Sequence, residues 1–153
     1  MQYSQAVPKF LEIWEGLSLE PYKDVGGKWT WLFGQLMSED DYRKWIVDGS
    51  VPGTLAMARA AMAMKLDSVQ QQVDVLTFGL GLRQCEFDAL CCFVYNVGAE
   101  AFAKSTMLQL LKEPTLRLQA CDEFPRWDHV DGKIVPGLLS RRLAERQMFL
   151  GAP

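Results

Sequence analysis

The first apolar pattern along the chain is typical of an amphipathic helix. Four apolar residues recur at intervals of three and four, which places them on one helical face: Val7, Phe10, Leu11 and Trp14. Gly16 follows the pattern and predicts the end of the helix, because glycine readily adopts the backbone conformation that closes one. We therefore expect a helix over about 4–15, with Glu15 at its carboxyl end.

The spacing then changes to the alternation of a β-strand. In the stretch KWTWLFGQ, a period of two places Trp29, Trp31 and Phe33 on one face. Thr30 and Leu32 fall on the opposite face. Because the preceding stretch DVGGK is a turn signal, the segment predicts a small β-hairpin after the first helix.

Helical patterns dominate the remainder of the chain, apart from the turn-rich stretch DHVDGKIVPG, which predicts a loop or at most a hairpin. The predicted fold class is α+β and mostly α, in one domain. We expect an N-terminal lobe over about 12–55, a connecting helix over about 56–79 and a helical C-terminal lobe over about 80–153, on which the first helix packs. The cleft between the two lobes is the expected ligand site.

The bulk composition narrows the classes of function. The chain has 153 residues, of which 49% are apolar and 23% charged, as is ordinary for a soluble globular domain. A net charge of −3 provides no attraction for a polyanion, so we predict no nucleic-acid partner. The pattern shows neither a signal peptide nor an apolar run of membrane-spanning length, and we expect a protein that is made in the cytoplasm.

Metal chemistry is poorly supported by the residue types. Four cysteines lie in apolar helical patterns without the paired spacing of a metal site, which predicts buried, reduced thiols: Cys85, Cys91, Cys92 and Cys121. His129 is the only histidine and lies in the turn-rich stretch. We therefore expect no metal ion and no cofactor, and a monomeric protein.

Two carboxylates and a hydroxyl on the glycine-rich segment are the candidate chemistry. Hydrolysis of a glycosidic bond uses a pair of carboxyl groups, one to protonate the leaving oxygen and one to act on the opposite side of the sugar. Glu15 suits the proton donor, because the dipole at a helix carboxyl end disfavours its anion. Asp24 could orient a water molecule that Thr30 also binds. The alternative is structural: a helix end, a turn-forming Asp and a strand Thr.

The same segment resembles the phage-type lysozymes, the endolysins of glycoside hydrolase family 24. Their signature is E-G, then L-x-x-Y-x-D, then G-x-x-T, and EGLSLEPYKDVGGKWT reproduces it with Glu15, Asp24 and Thr30. Later stretches are similar in the same order, namely QCEFDALCCFVYNVGAEAF with KSTMLQLL, then FPRW, then PGLLSRRLAERQMFL. The segment 50–66 has no assigned counterpart. The resemblance implies a lysozyme-like, two-lobed fold.

The resemblance also implies an activity and a site. The protein would be a muramidase that cleaves the β-1,4 bond between N-acetylmuramic acid and N-acetylglucosamine in peptidoglycan by inverting hydrolysis. Glu15 would be the general acid, Asp24 would position the attacking water, and Thr30 would bind that water. Inversion requires the two carboxyl groups to lie about 6.5–9.5 Å apart.

Further positions carry over on the helical part of the chain. Tyr95 and Ser105 match residues that line the substrate cleft, and Asn96 adjoins them. Arg141 or Arg142 resembles the arginine that approaches the catalytic glutamate, and the sequence does not decide between them.

Two departures from the family pattern leave other functions open. The family continues T-x-G-x-G-H, whereas this chain has Leu32 for the first glycine and Gln35 for the histidine. Since Leu32 shares the face of Thr30, it is predicted to line the substrate site and could obstruct it. A weakened lysozyme-fold module that binds cell wall or a protein is therefore an alternative. A lytic transglycosylase is disfavoured, because that chemistry needs no water-positioning aspartate.

The expected partners follow from the resemblance. Bacterial peptidoglycan would be the substrate, with lysis of the host cell as the outcome. A protein made in the host cytoplasm would need a separate holin-type protein that permeabilises the membrane before it could reach the wall.

Overall fold

The computed structural model describes residues 1–24, 26–48, 53–130 and 132–151. The helices are α1 (Ala6–Trp14), α2 (Glu39–Asp48), α3 (Leu55–Leu76), α4 (Gln84–Val97), α5 (Ala99–Ala103), α6 (Thr106–Leu111), α7 (Arg117–Cys121) and α8 (Pro136–Leu150). The strands are β1 (Ser18–Lys23), β2 (Trp29–Leu32), β3 (Gln35–Leu36), β4 (His129–Val130) and β5 (Lys133–Ile134), and short 3-10 turns cover Pro114–Leu116 and Phe124–Trp127. The predicted fold class, α+β and mostly α, is confirmed.

The chain divides into two compact units, Met1–Val7 with Leu66–Pro153 and Pro8–Lys65. Both α1 and α3 contribute residues to each unit. Among the residues that the structure describes, no helix combines the length and the apolar character needed to cross a membrane.

The unit Pro8–Lys65 contains a three-stranded antiparallel sheet in the order β1-β2-β3. Sequence alternation predicted only two strands, because β3 has two residues and is too short to show a period. A turn at Phe33 and Gly34 precedes β3, and Gly34 adopts a φ of +76°, which favours glycine. Helix α2 packs on this sheet through the ring of Tyr42, which stacks on Trp29 at a centroid distance of 4.2 Å.

Side-chain caps begin the two helices that follow the sheet. Ser38 Oγ accepts a hydrogen bond from the backbone N–H of Asp41 at 3.1 Å, and Thr54 Oγ1 accepts one from Met57 at 3.1 Å. Ser and Thr immediately before a helix are typical caps, because their side chains satisfy amide groups that lack a partner within the helix.

The larger unit is built around α4, which is buried from Glu86 to Tyr95. The ring of Phe93 makes edge-to-face contacts with Phe102, Phe124 and Trp127 at centroid distances of 6.2, 5.3 and 5.2 Å. Edge-to-face pairs add to the free energy of burial, so this aromatic cluster forms the centre of the core.

The buried cysteines predict a loss of stability at alkaline pH. Burial raises the pKa of the Cys91 thiol from 9.0 to about 12 and that of Cys121 to about 11. At pH values between the ordinary thiol pKa of 9.0 and these raised pKa values, the unfolded chain releases thiol protons that the folded protein retains. The free energy of unfolding therefore falls as pH rises. Thermal midpoints measured from neutral pH to about pH 11 should converge for wild type and Cys91→Ala. A difference between them that stays constant with pH would contradict the expectation.

Candidate active site

Glu15 lies directly after α1, as its position before a glycine predicted. Its backbone N–H donates to Leu11 O at 2.9 Å, which extends the helical hydrogen bonding by one residue. Gly16 then turns the chain with a φ of +69°. The side chain of Glu15 is half-buried, at the negative end of the helix dipole.

Asp24 organises the turn between β1 and β2. Its Oδ1 accepts hydrogen bonds from the backbone N–H groups of Gly26 and Lys28, both at 2.9 Å. Its own N–H donates to Lys28 O at 2.9 Å. With a further bond from Gly27 N to Asp24 O at 2.9 Å, these contacts fix both the backbone and the carboxylate of Asp24, which therefore has a turn-forming role.

Thr30 is joined to Asp24 through one intervening residue. The Thr30 hydroxyl donates to Lys28 O at 3.2 Å, and the N–H of Lys28 donates to the Asp24 carboxylate. Thr30 is only 3% exposed and pairs in register with Tyr22 on β1 and Leu36 on β3. Since its proton is directed at the Lys28 carbonyl, the oxygen of Thr30 remains able to accept a hydrogen bond. The sequence did not reveal the linking role of Lys28, because it belongs to the backbone.

Leu32 has a conformation that sequence reasoning missed. Its φ is +54°, and it is the one residue other than glycine with a positive φ in the described part of the chain. This left-handed conformation accounts for a glycine at this position in the family pattern, because glycine adopts it without steric cost. The predicted sharing of a face with Thr30 is correct, and both residues are buried. A contact between Leu32 and substrate stays a prediction.

Gln35 stabilises the turn that Leu32 enters. Its Oε1 accepts a hydrogen bond from the backbone N–H of Phe33 at 2.8 Å. The amide therefore closes a local ring across two residues, next to the register pair of Gln35 with Trp31. Gln35, which replaces the histidine of the family pattern, thus has a defined structural partner in the backbone of Phe33.

The candidate residues of the larger unit lie on α4 and at the start of α6. Tyr95 is buried and Asn96 is exposed near the carboxyl end of α4. Ser105 caps α6, where its Oγ accepts a hydrogen bond from Leu108 N at 3.1 Å. This cap gives Ser105 a structural function.

Both candidate arginines are buried on α8 and share one carboxylate. Arg141 Nε lies 3.1 Å from Glu145 Oε1, and Arg142 Nη1 lies 2.9 Å from Oε2. Arg142 also donates to Asn96 Oδ1, and its guanidinium carbon lies 5.1 Å from the centre of the Phe93 ring. Of the two arginines, Arg142 is thus hydrogen-bonded to another candidate residue. Sequence analysis missed Glu145, although its spacing of three and four residues from the arginines is a usable signal.

Within each unit, hydrogen bonds connect some of the predicted site residues. Asp24 and Thr30 are joined through Lys28, and Asn96 is joined to Arg142. Among the described residues, no group of three or more His, Cys, Asp or Glu side chains is arranged to hold a metal ion.

Comparison with known proteins identifies the family. The chain matches the family model described as Phage lysozyme over residues 12–145. It is 38% identical over 151 residues to an endolysin of Bacillus phage PZA, a match that covers 97% of this chain and 55% of that protein. A SAR-endolysin of Enterobacteria phage PA-2 is 33% identical over 136 residues, which cover 89% of this chain and 77% of that protein. The chain spans about half the length of the Bacillus phage endolysins that it matches.

The fold agrees with this assignment. The solved structure of a P22 lysozyme mutant is similar with a TM-score of 0.77 and 29% sequence identity, over 98% of this chain and 99% of that chain. The likeness therefore extends beyond the local motif to almost the whole chain. The chain belongs to the phage lysozyme family.

Proposed function

We propose that the protein is a peptidoglycan hydrolase of the lysozyme type, a muramidase that cleaves the β-1,4 bond between N-acetylmuramic acid and N-acetylglucosamine. The observation that carries the proposal is the pair of hydrogen bonds that links Asp24 to Thr30 through the backbone of Lys28. The link occurs in a member of the phage lysozyme family that also retains Glu15. Glycoside hydrolysis uses a pair of carboxyl groups, which Glu15 and Asp24 would supply.

In the proposed reaction Glu15 donates its proton to the oxygen of the leaving sugar as the glycosidic bond breaks. Asp24 accepts a proton from the attacking water. The bonds from Gly26 and Lys28 to Oδ1 hold the carboxylate in one orientation for that transfer.

Thr30 completes the proposed binding of water. Because its hydroxyl donates to Lys28 O, its oxygen can accept a hydrogen bond from the water that Asp24 activates. Attack by this water on the face opposite the leaving oxygen inverts the configuration of the sugar. The first product would therefore carry the α configuration at its new reducing end.

The larger unit would supply the remaining contacts to the glycan. We assign substrate binding to Tyr95, Asn96 and Ser105. The arginine of the site is proposed to be Arg141 or Arg142, both of which pair with Glu145. Peptidoglycan of the host cell is the proposed substrate. Synthesis in the host cytoplasm, action on the wall after a holin-type protein opens the membrane, and a monomeric state are part of the same proposal.

The alternative of a weakened binding module is not favoured. It supposes that the side chain of Leu32 obstructs the substrate site, but that side chain is only 4% exposed and packs inside its own unit. A lytic transglycosylase is also disfavoured, because Asp24 is retained and its carboxylate is fixed by two amides.

Digestion of purified Gram-negative peptidoglycan tests the proposal, with products identified by mass spectrometry. Wild type should release muropeptides with reducing ends, initially as the α anomer in an NMR time course. Asp24→Asn should lose release by about 10²-fold or more while keeping its thermal midpoint, since an amide oxygen can still accept both turn bonds. Asp24→Ala should lose release and also stability.

Two outcomes would overturn the proposal. Products with anhydro ends would identify a transglycosylase. An absence of release at high protein concentration, with the protein still pelleting with the wall, would identify a binding module.

A further inference from the structure

Leu32 and Gly53 are in direct contact although they are far apart in sequence. A Cβ atom built on Gly53 would lie only 2.5 Å from Cδ2 of Leu32, which is closer than any real contact of this kind. The same Cβ would lie 3.2 Å from Leu19 O and 3.6 Å from Cε3 of Trp31. The side chain of Leu32 therefore fills the space that a side chain at position 53 would need.

Position 53 favours glycine because a side chain there would collide with its neighbours, and not because of the backbone conformation. It is absent from the glycines with positive φ, so an alanine there would meet no backbone penalty. In such positions alanine usually stabilises a protein, because it restricts the unfolded chain. Whether a side chain is tolerated at position 53 therefore depends chiefly on what occupies position 32, with the Leu19 carbonyl as the second close neighbour.

A hydrogen bond fixes Gly53 on the irregular part of the sheet. The pairing of β1 with β2 is interrupted between Ser18 and Tyr22, where the residues 19–21 of β1 lie opposite Trp31 alone. The carbonyl of Leu19 in this interruption accepts a hydrogen bond from Gly53 N at 2.8 Å. Gly53 thus supplies a hydrogen-bond donor to a carbonyl in the interrupted part of the ladder.

We infer that Leu32 is a positioning residue: packed against Gly53, it holds the end of β2 and thereby the orientation of Thr30. Leu32 and Thr30 lie on the same buried face, two residues apart on a four-residue strand. A leucine in the left-handed conformation has an intrinsic cost, and burial against Gly53 offsets it. The leucine side chain at position 32 and a side chain at position 53 would compete for the same space. The inference rests on the proposed function, because it concerns the residue that binds the attacking water.

A double-mutant cycle in the full chain tests the packing of the pair. Gly53→Ala alone should lower the thermal midpoint by about 4–8 °C, because Leu32 must move. Added to Leu32→Ala, the same change should lower the midpoint by less than about 2 °C further, since the clashing methyl group is gone. Leu36→Ala is the control background, because Leu36 lies on the neighbouring strand and is 60% exposed. An equal loss from Gly53→Ala in all three backgrounds would overturn the pairing.

Kinetics separate positioning from simple stabilisation. Measured well below every midpoint, Gly53→Ala should lower kcat by about 10-fold or more at unchanged KM and unchanged pelleting with the wall, with partial recovery in the double variant. A wild-type kcat in folded Gly53→Ala would overturn the positioning role. If wild type itself releases no muropeptides, the proposed function and the positioning role both fail, whereas the midpoints still decide whether the two residues are coupled.

Discussion

Replacing Glu15 with glutamine should lower the rate of muropeptide release by about 10²–10⁴-fold, the contribution typical of a general acid. Glutamine has nearly the shape of glutamate and can still contact the substrate, but its amide protons are too weakly acidic to be given to the leaving oxygen. The backbone bond from Glu15 N to Leu11 O does not involve the side chain, so the end of α1 should be unchanged. The expected defect is therefore in kcat, with the protein folded and still able to bind the wall.

A matched substitution is available one turn earlier on the same helix. Glu12 carries the same side chain and forms an ion pair with Arg59 on the surface, at 2.7 Å. Glu12→Gln removes one carboxylate charge from α1 but leaves the proposed proton donor intact, so its hydrolysis rate should stay close to that of wild type. Equal rates for Glu15→Gln and wild type would exclude Glu15 as the general acid, and equal losses in both variants would indicate a general effect of charge.

The backbone of this site could largely be predicted from local sequence. Gly16 ends α1, and the glycines after Asp24 favour the turn that its carboxylate then organises. The alternation of β2 correctly placed Thr30 and Leu32 on one face. These features depend on residues close together in the chain, where spacing and turn chemistry carry the information.

The contacts that hold the site could not be predicted in the same way. Leucine rarely adopts a positive φ, so nothing in the residue type at position 32 signals a left-handed backbone. Gly53 contacts Leu32 across 21 positions, and its role exists only once the sheet has formed. Glycine in a loop ordinarily indicates a turn, whereas here the reason is the space occupied by another side chain.

The arginines illustrate a second kind of limit. The sequence offered Arg141 and Arg142 as equal candidates, because the two are the same residue type and local sequence does not decide which side of α8 is turned toward the site. Tertiary contacts show what the sequence could not: both arginines pair with Glu145, and Arg142 also contacts Asn96 and the Phe93 ring. Glu145 is consequently a carboxylate that two buried guanidinium groups share.

Glu145→Gln should be among the most destabilising conservative changes in the chain. Glu145 and Arg142 are fully buried and Arg141 is 4% exposed, so neither arginine can exchange the lost carboxylate for bulk water. Removing one partner of a buried ion pair costs about 3–5 kcal/mol, because the remaining charge is left in a medium of low polarity. For a chain of this size, we expect the thermal midpoint to fall by about 6–20 °C.

Glu100→Gln provides the matched control for this loss. Glu100 forms an ion pair with Lys104 at 2.7 Å across the same four-residue helical spacing, but its side chain is 85% exposed. Water replaces the lost interaction there, so the midpoint should hardly change. Thermal unfolding of both variants, followed by circular dichroism, measures the difference. Similar midpoints for the two would mean that burial of the cluster on α8 does not govern its contribution, and that the arginines find other compensation when Glu145 is neutralised.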